Sequence, residues 1–171
     1  MLTLYSMPSS GNSYKVRLLL AYLGKPYTHI PIDIHKGETL TPKYLALNPA
    51  GQIPLLQMDD GRVLAESNAI LTYLAESTDY LPTDKYARAK CLQWMFWEQY
   101  RHEPAIAVAR FIRMYAPDRA AELPALMTRG NSVYDRSCLA CHGANGEGGV
   151  GVAIAGSSVA LGDVQEHLRI G

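Results

Sequence analysis

A proline directly before a short apolar run is the feature that most restricts how this chain folds. Pro54 follows the turn-forming Gly51 and precedes Leu55-Leu56-Gln57-Met58. Because proline has no N–H to donate to a sheet ladder, it belongs at the start of a strand or in a tight turn. A cis Ile53–Pro54 bond at this place would leave the backbone of Ile53 exposed as a strand edge for a peptide ligand.

A helix start follows ten residues later. Glu66-Ser67 precedes Ala69, Ile70, Leu71, Tyr73 and Leu74, which predicts a helix from about Ser67 to Glu76. The free N–H groups of a first helical turn favour an anion, such as a free carboxylate. A plainer interpretation of both stretches stays open, namely an ordinary strand with a proline turn and an ordinary capped helix.

The first 80 residues alternate between strand and helix patterns. Strands are predicted at Leu2–Tyr5, Tyr27–Ile32, Leu55–Met58 and Val63–Leu64, and helices at Ser13–Leu23, around Pro42–Leu45 and from Ser67. Pro31 favours an edge position for the second strand, and Asp59-Asp60-Gly61 predicts a hairpin turn. The order β-α-β-(α)-β-β-α is that of an α/β, thioredoxin-like domain.

The middle of the chain changes to helix. Thr83 or Asp84 is the predicted N-cap of a long helical stretch from Lys85 to Tyr115 that contains no glycine. Pro104 should kink this helix or split it in two. A shorter helical piece is expected at Asp118–Leu123.

Composition restricts the class of protein and its partners. The 16 basic and 16 acidic residues cancel, which argues against a nucleic-acid partner held by charge. The first residues do not resemble a signal peptide, and no apolar run has transmembrane length, so we expect a cytoplasmic protein without a membrane partner. Three cysteines do not suggest a disulfide framework in a reducing compartment.

Four segments together resemble the cytosolic glutathione transferases over residues 1 to about 128. They are Leu4-Tyr5-Ser6, the loop and helix start from Ser9 to Arg17, Asn48-Pro49-Ala50-Gly51-Gln52-Ile53-Pro54, and Glu66-Ser67. The resemblance implies that the Ile53 backbone, across a cis Pro54, pairs with the cysteinyl part of glutathione. It also implies that Glu66 and Ser67 hold the γ-glutamyl ammonium and carboxylate, and that Gln52 and Lys36 reach the far end of the tripeptide.

The implied chemistry requires a glutathione thiolate. A free thiol has a pKa near 8.5, so a hydroxyl or amide donor at a helix N-terminus increases the charged nucleophile at neutral pH. Ser10 is the first candidate for that donor and Asn12 the second, with Ser9 and Ser13 behind them; the alternative is that these residues only cap the helix. The expected reaction is attack on an electrophile or thiol–disulfide exchange.

A second motif lies in a glycine-rich region. More than half of the chain's 14 glycines fall within residues 130–162, which also contain Cys138-Leu139-Ala140-Cys141-His142. C-x-x-C-H is the pattern for covalent c-type haem, with two thioethers and an axial imidazole, and the stretch from about 130 to 171 resembles the opening of a class I cytochrome c. No methionine follows Met127 to serve as sixth ligand, so we expect these residues to be mostly unoccupied; a redox or zinc role is the minor alternative.

The sequence therefore predicts three segments. A thioredoxin-like glutathione-binding domain covers residues 1–80, a partial helical transferase domain 84–128, and a short cytochrome c-like segment 130–171. The leading interpretation is a glutathione transferase that forms a homodimer and acts on a small electrophile or disulfide. An electron carrier with haem c and a non-catalytic glutathione-binding protein are the alternatives.

Overall fold

The computed structural model describes residues 1–143, with Cys141 and His142 described by backbone alone. Residues 144–171 of the predicted cytochrome c-like segment lie outside the described residues. The chain forms two compact units, Met1–Leu92 and a second that begins at Gln93. Within residues 1–143 no helix combines the length and the apolar character needed to cross a bilayer.

A four-stranded sheet forms the centre of the first unit. Its strands are β1 (Leu2–Ser6), β2 (Tyr27–Pro31), β3 (Leu55–Gln57) and β4 (Val63–Leu64), in the order β2-β1-β3-β4. β1 runs parallel to β2 and antiparallel to β3, with Leu4 opposite Leu56. The predicted edge position of β2 and the Asp-Gly hairpin between β3 and β4 are both confirmed.

Helices complete a thioredoxin-like arrangement in the predicted order. They are α1 (Gly11–Tyr22), α2 (Pro42–Leu45) and α3 (Ser67–Ala75), with 3-10 turns at Ile34–Lys36 and Glu38–Leu40. The apolar faces of α1 and α3 pack with β1 and β3 into one core, made of Leu4, Val16, Leu20, Leu56, Ile70 and Leu74. This core fixes the starts of α1 and α3 relative to the strand that follows Pro54.

The long helical stretch is split, as Pro104 predicts. It consists of α4 (Lys85–Trp97), a π-helical segment (Glu98–His102) and α5 (Glu103–Tyr115). Asp84 is the cap that the structure selects, since its Oδ1 accepts a hydrogen bond from the Ala87 N–H at 2.8 Å. The piece predicted after Pro117 is a 3-10 helix at Pro117–Glu122.

The last described helices cross the place where the two resemblances meet. α6 spans Leu123–Ser137 without a break, and α7 is the single turn Leu139–His142. Gly130 is buried inside α6, where a Cβ would stand 3.5 Å from Ile106 Cδ1. The change in composition at Arg129-Gly130 therefore does not coincide with a change in secondary structure, and the predicted domain boundaries stay predictions.

Candidate functional site

The loop before β3 is held from inside by two buried side chains. The Tyr44 hydroxyl donates to the Gln52 carbonyl at 2.7 Å, and Asn48 Nδ2 donates to the same oxygen at 2.8 Å. Asn48 Oδ1 also accepts from the Ala50 N–H at 3.2 Å. The Ile53–Pro54 bond that follows is cis, so the loop delivers Ile53 beside the strand in the arrangement that the sequence predicts.

Gly51 is needed in this loop for two reasons. Its φ of +62° lies in the left-handed region, and a Cβ there would stand 3.2 Å from Leu40 Cδ2.

Burial raises the pKa of Tyr44 to about 12, so its hydroxyl keeps the proton that it donates to Gln52 at any physiological pH. The loop geometry is therefore independent of pH in that range.

The start of α3 has a strained backbone and a buried hydroxyl. Glu66 precedes the helix with φ +65° and an exposed side chain. A non-glycine residue in this region costs about 1–3 kcal/mol, and such residues cluster at ligand sites. Ser67 is buried, and its hydroxyl donates to Asn12 Oδ1 at 3.4 Å, which joins the starts of α3 and α1.

Ser10 is the N-cap of α1. Its Oγ accepts from the Ser13 N–H at 3.2 Å, as the capping interpretation predicts. This bond uses an acceptor site of the hydroxyl and leaves its O–H available to a ligand. Ser13 Oγ is fully buried and has no partner among the described residues, so of the two hydroxyls Ser10 is the one that a ligand can reach.

The loop from Ser6 to Ser10 is fixed by an arginine that the sequence analysis missed as a functional residue. Arg17 is buried, and its guanidinium donates to Ser6 Oγ (3.1 Å) and to the carbonyls of Met7 (3.1 Å) and Pro8 (2.8 Å). His29 Nε2 lies 2.8 Å from the same Ser6 hydroxyl. Burial lowers the pKa of Arg17, but an arginine remains charged, so a cation lies beneath the loop that leads to Ser10. The only signal in the sequence is a basic residue on the apolar face of α1.

Lys36 forms an ion pair with an acidic residue of its own turn. Its Nζ lies 3.5 Å from Asp33 Oδ2, and the lysine side chain is exposed. The Gln52 side chain is exposed as well, while its carbonyl is used by Tyr44 and Asn48. The Gln52 carbonyl therefore helps to fix the loop. Contacts of the Gln52 and Lys36 side chains with the far end of the tripeptide stay predictions.

Comparison with known proteins decides the family. The glutathione S-transferase N-terminal domain family matches residues 1–76. A solved glutathione S-transferase from Pseudomonas fluorescens is 46% identical, with a TM-score of 0.76 over 79% of this chain and 69% of that one. The chain belongs to the glutathione S-transferase family. A solved homologue from Sulfitobacter, with bound glutathione, is 28% identical with a TM-score of 0.63, over 81% of this chain and 71% of that one.

Curated relatives are longer than this glutathione S-transferase family member. A maleylacetoacetate isomerase from Pseudomonas aeruginosa is 45% identical over 75 residues, which are 43% of this chain and 35% of the isomerase. The chain spans between about 35% and 48% of the first curated relatives that it matches. The activity of those complete proteins is therefore a proposal for this chain.

The cytochrome c family matches residues 127–167. In the described part, α6 leads directly to Cys138, whose side chain is half-buried, and the Tyr134 hydroxyl donates to the Gly143 carbonyl at 2.6 Å. The backbone of α7 carries Cys141 and His142, but their side chains lie outside the described part of the structure. The predicted haem ligands therefore stay a prediction from the motif.

Proposed function

We propose that this chain binds glutathione in the Met1–Leu92 unit and activates its thiol for reaction with a small electrophile or a disulfide. The observation that carries the proposal is the contact between Ser67 and Asn12. It brings the helix start predicted to hold the γ-glutamyl group next to the helix start predicted to hold the thiol.

Recognition of the γ-glutamyl group rests on charge and on helix geometry. Glu66 offers a carboxylate to the ammonium, while the Ser67 hydroxyl and the free N–H groups of α3 suit the carboxylate. The cysteinyl backbone pairs with Ile53 across the cis proline. The strained φ of Glu66 supports a ligand-binding role for this helix start. Lys36 and Gln52, both with exposed side chains, are assigned to the far end of the tripeptide, as the family resemblance implies.

Thiol activation is assigned to Ser10, with Asn12 second. The Ser10 hydroxyl, polarised by the Ser13 N–H, donates to the sulfur and stabilises the thiolate over the thiol. The thiol proton passes to solvent, and the thiolate attacks the electrophile. As the bond from sulfur forms, either a π bond of the electrophile breaks and the resulting carbanion or enolate takes up a proton, or the bond to a leaving group breaks and that group departs with the electron pair. With a disulfide, the S–S bond breaks and the second sulfur leaves as a thiolate. The isomerase and transferase relatives support this reaction class.

Thermal unfolding of the full chain with and without glutathione tests binding. At about 100 times Kd, binding adds about 2.7 kcal/mol, a rise of roughly 5–10 °C for a chain of this size. Ser67→Ala should reduce this shift, whereas Ser77→Ala, at an exposed serine of the same unit, should keep it. An unchanged transition in the wild type would overturn the proposal.

Ser10→Ala tests the role in activation. Loss of a donor to a developing or full anion typically lowers turnover by about 10²–10³-fold, and glutathione affinity should change little. Thr41→Ala removes an equivalent N-cap hydroxyl from α2 and serves as the control for lost capping. Equal turnover in wild type and Ser10→Ala would remove Ser10 from the mechanism. A glutathione shift without any turnover in the wild type would favour the non-catalytic alternative.

Covalent haem attachment is the second candidate, and the cytochrome c match over residues 127–167 favours it. Cys138 and Cys141 would form the thioethers and His142 would be the axial ligand. Co-expression with haem-attachment machinery tests this function. A Soret band that Cys138→Ala with Cys141→Ala abolishes would support it, and a colourless wild-type protein would exclude it.

A further inference from the structure

The second unit contains an open cleft that the glutathione site does not use. It has a volume of about 520 Å³ and lies between the end of α4, the π-helical segment and one face of α6. Its principal lining side chains are Trp97, Arg101, Thr128, Arg129, Ser132 and Arg136. Small-molecule sites typically have volumes of about 300–1,000 Å³, so this cleft is large enough for a small ligand.

Helical spacing explains why α6 presents one polar wall. Arg129, Ser132 and Arg136 are three and four residues apart, so they lie along a single face of the helix. Arg101 enters from the opposite wall on the π-helical segment. Three guanidinium groups, each with up to five N–H donors, and the three hydroxyls of Thr128, Ser132 and Ser137 therefore line one space.

The charges in this cleft are not compensated by carboxylates. Arg62, Arg88 and Arg119 each form an ion pair with a carboxylate elsewhere in the chain. Within residues 1–143 neither Arg101, Arg129 nor Arg136 forms an ion pair, and no described lining residue is acidic. Guanidinium groups collected on a concave surface without counter-charges produce a positive potential that attracts anions.

A backbone carbonyl of the π-helical segment holds one of these arginines across the cleft. Arg129 Nη2 donates to the Tyr100 carbonyl at 3.3 Å, and the Arg101 guanidinium lies 5.7 Å from the centre of the Tyr100 ring. The π-helical segment thus anchors Arg129 by one N–H and leaves its other donors for a ligand.

We propose that this cleft binds a small multivalent oxyanion, held by Arg101, Arg129 and Arg136 with hydroxyl contacts from Thr128 and Ser132. The guanidinium fork matches both phosphate and carboxylate oxygens, so a phosphate compound and a di- or tricarboxylate share the required chemistry. None of its lining residues belongs to the predicted glutathione site, and the proposal does not depend on glutathione activity.

Calorimetric titration of the full-length protein tests the proposal, with inorganic pyrophosphate as one probe and citrate as the other. Arg129→Gln combined with Arg136→Gln should weaken binding of the preferred probe at least tenfold. Arg113→Gln, at an exposed arginine of the same unit outside the cleft, is the matched control and should leave the affinity unchanged. Circular dichroism verifies the fold of each variant, and Arg101→Gln alone is the second test if the double variant does not fold.

Each outcome decides the question. Binding of pyrophosphate alone supports a phosphate site, binding of citrate alone supports a carboxylate site, and similar affinity for both supports an oxyanion site without that discrimination. The proposal is wrong if the wild type binds neither probe, or if Arg113→Gln weakens binding as much as the cleft variants do. Addition of glutathione should leave the affinity for either probe unchanged.

Discussion

The two units of this chain use buried side chains very differently. The Met1–Leu92 unit has a cluster of large aliphatic residues between sheet and helices, with Leu4, Leu20, Leu56 and Ile70 fully buried. In the described part of the second unit the buried hydrophobic residues are Ala105, Ala109 and Ile112, while Trp94, Phe96 and Tyr100 are more than half exposed. Aliphatic packing therefore stabilises the first unit far more than the second.

The polar groups differ in the same way. In the first unit Arg17 and Asn48 are buried and hydrogen-bonded to loop carbonyls, so they fix the geometry of the predicted glutathione site. In the second unit Arg101, Arg129 and Arg136 are exposed around an open cleft. Buried polar side chains therefore fix the loops of the first unit, whereas the exposed arginines of the cleft remain accessible to solvent and ligands.

The largest expected loss of stability comes from replacing a buried isoleucine of the first unit by alanine. The same replacement of a partly exposed isoleucine in the second unit is the comparison. Ile70→Ala in α3 should cost about 2–5 kcal/mol, because it removes buried atoms and leaves a cavity. Ile106→Ala in α5, where the side chain is 46% exposed, should cost no more than about 1 kcal/mol. Urea unfolding gives both free energies. Equal losses would contradict the difference in burial between these two side chains.

A pair of arginines tests the contrast between buried and exposed charge. Arg17→Met should destabilise the first unit by about 1–3 kcal/mol, because it removes three hydrogen bonds and leaves the Pro8 carbonyl without its donor. Ser6 Oγ keeps its contact with His29, and the Met7 carbonyl keeps the Ser10 N–H. Arg88→Met breaks a surface ion pair with Glu76 and should cost less than about 1 kcal/mol. The same unfolding measurement compares them. A similar cost for both variants would mean that the buried network does not hold the loop.

The smallest expected effect is the pH dependence of that surface pair. Hydrogen bonds from the Arg88 guanidinium lower the pKa of Glu76 below its ordinary value of 4.5. The contribution of this pair is therefore complete above pH 4.5 and is lost as the pH falls through the lowered pKa. Melting temperatures of wild type and Glu76→Gln should differ slightly at pH 7 and converge in acid. A difference that grows as the pH falls would contradict the assigned direction.

The fold of the first unit was predictable because its signals are local. Pro54, the Asp-Gly turn and the apolar periodicity of α1 and α3 each restrict a few neighbouring residues, and the structure confirms the element order. Pro104 likewise predicted the break between α4 and α5. Whether that break would be a kink or a π-helical segment depends on hydrogen bonds that a propensity argument does not include.

The candidate site was predictable only in part. Its residues follow from short motifs, and Arg17 ends the segment from Ser9 to Arg17 but received no role. The i, i+3 spacing of Asp33 and Lys36 permits the ion pair that the structure shows, and the prediction for Lys36 did not include it. At Thr128–Asn131 the sequence suggests a boundary, but the structure has a continuous helix there. Composition changes sharply there, yet helix formation depends on backbone bonds and packing around Gly130 that composition does not report.

The sequence by itself determined the order of elements, the turn and helix starts around the predicted glutathione site, and the presence of a C-x-x-C-H motif. These features depend on the conformational limits of proline and glycine and on side-chain periodicity, which act within a few residues. Only the tertiary structure decided that Ser67 meets Asn12 and that Arg17 is buried under the loop that leads to Ser10. It also decided that a neutral chain gathers in one cleft three arginines that form no ion pair within residues 1–143. Such contacts join residues distant in sequence, and packing of the whole unit determines them.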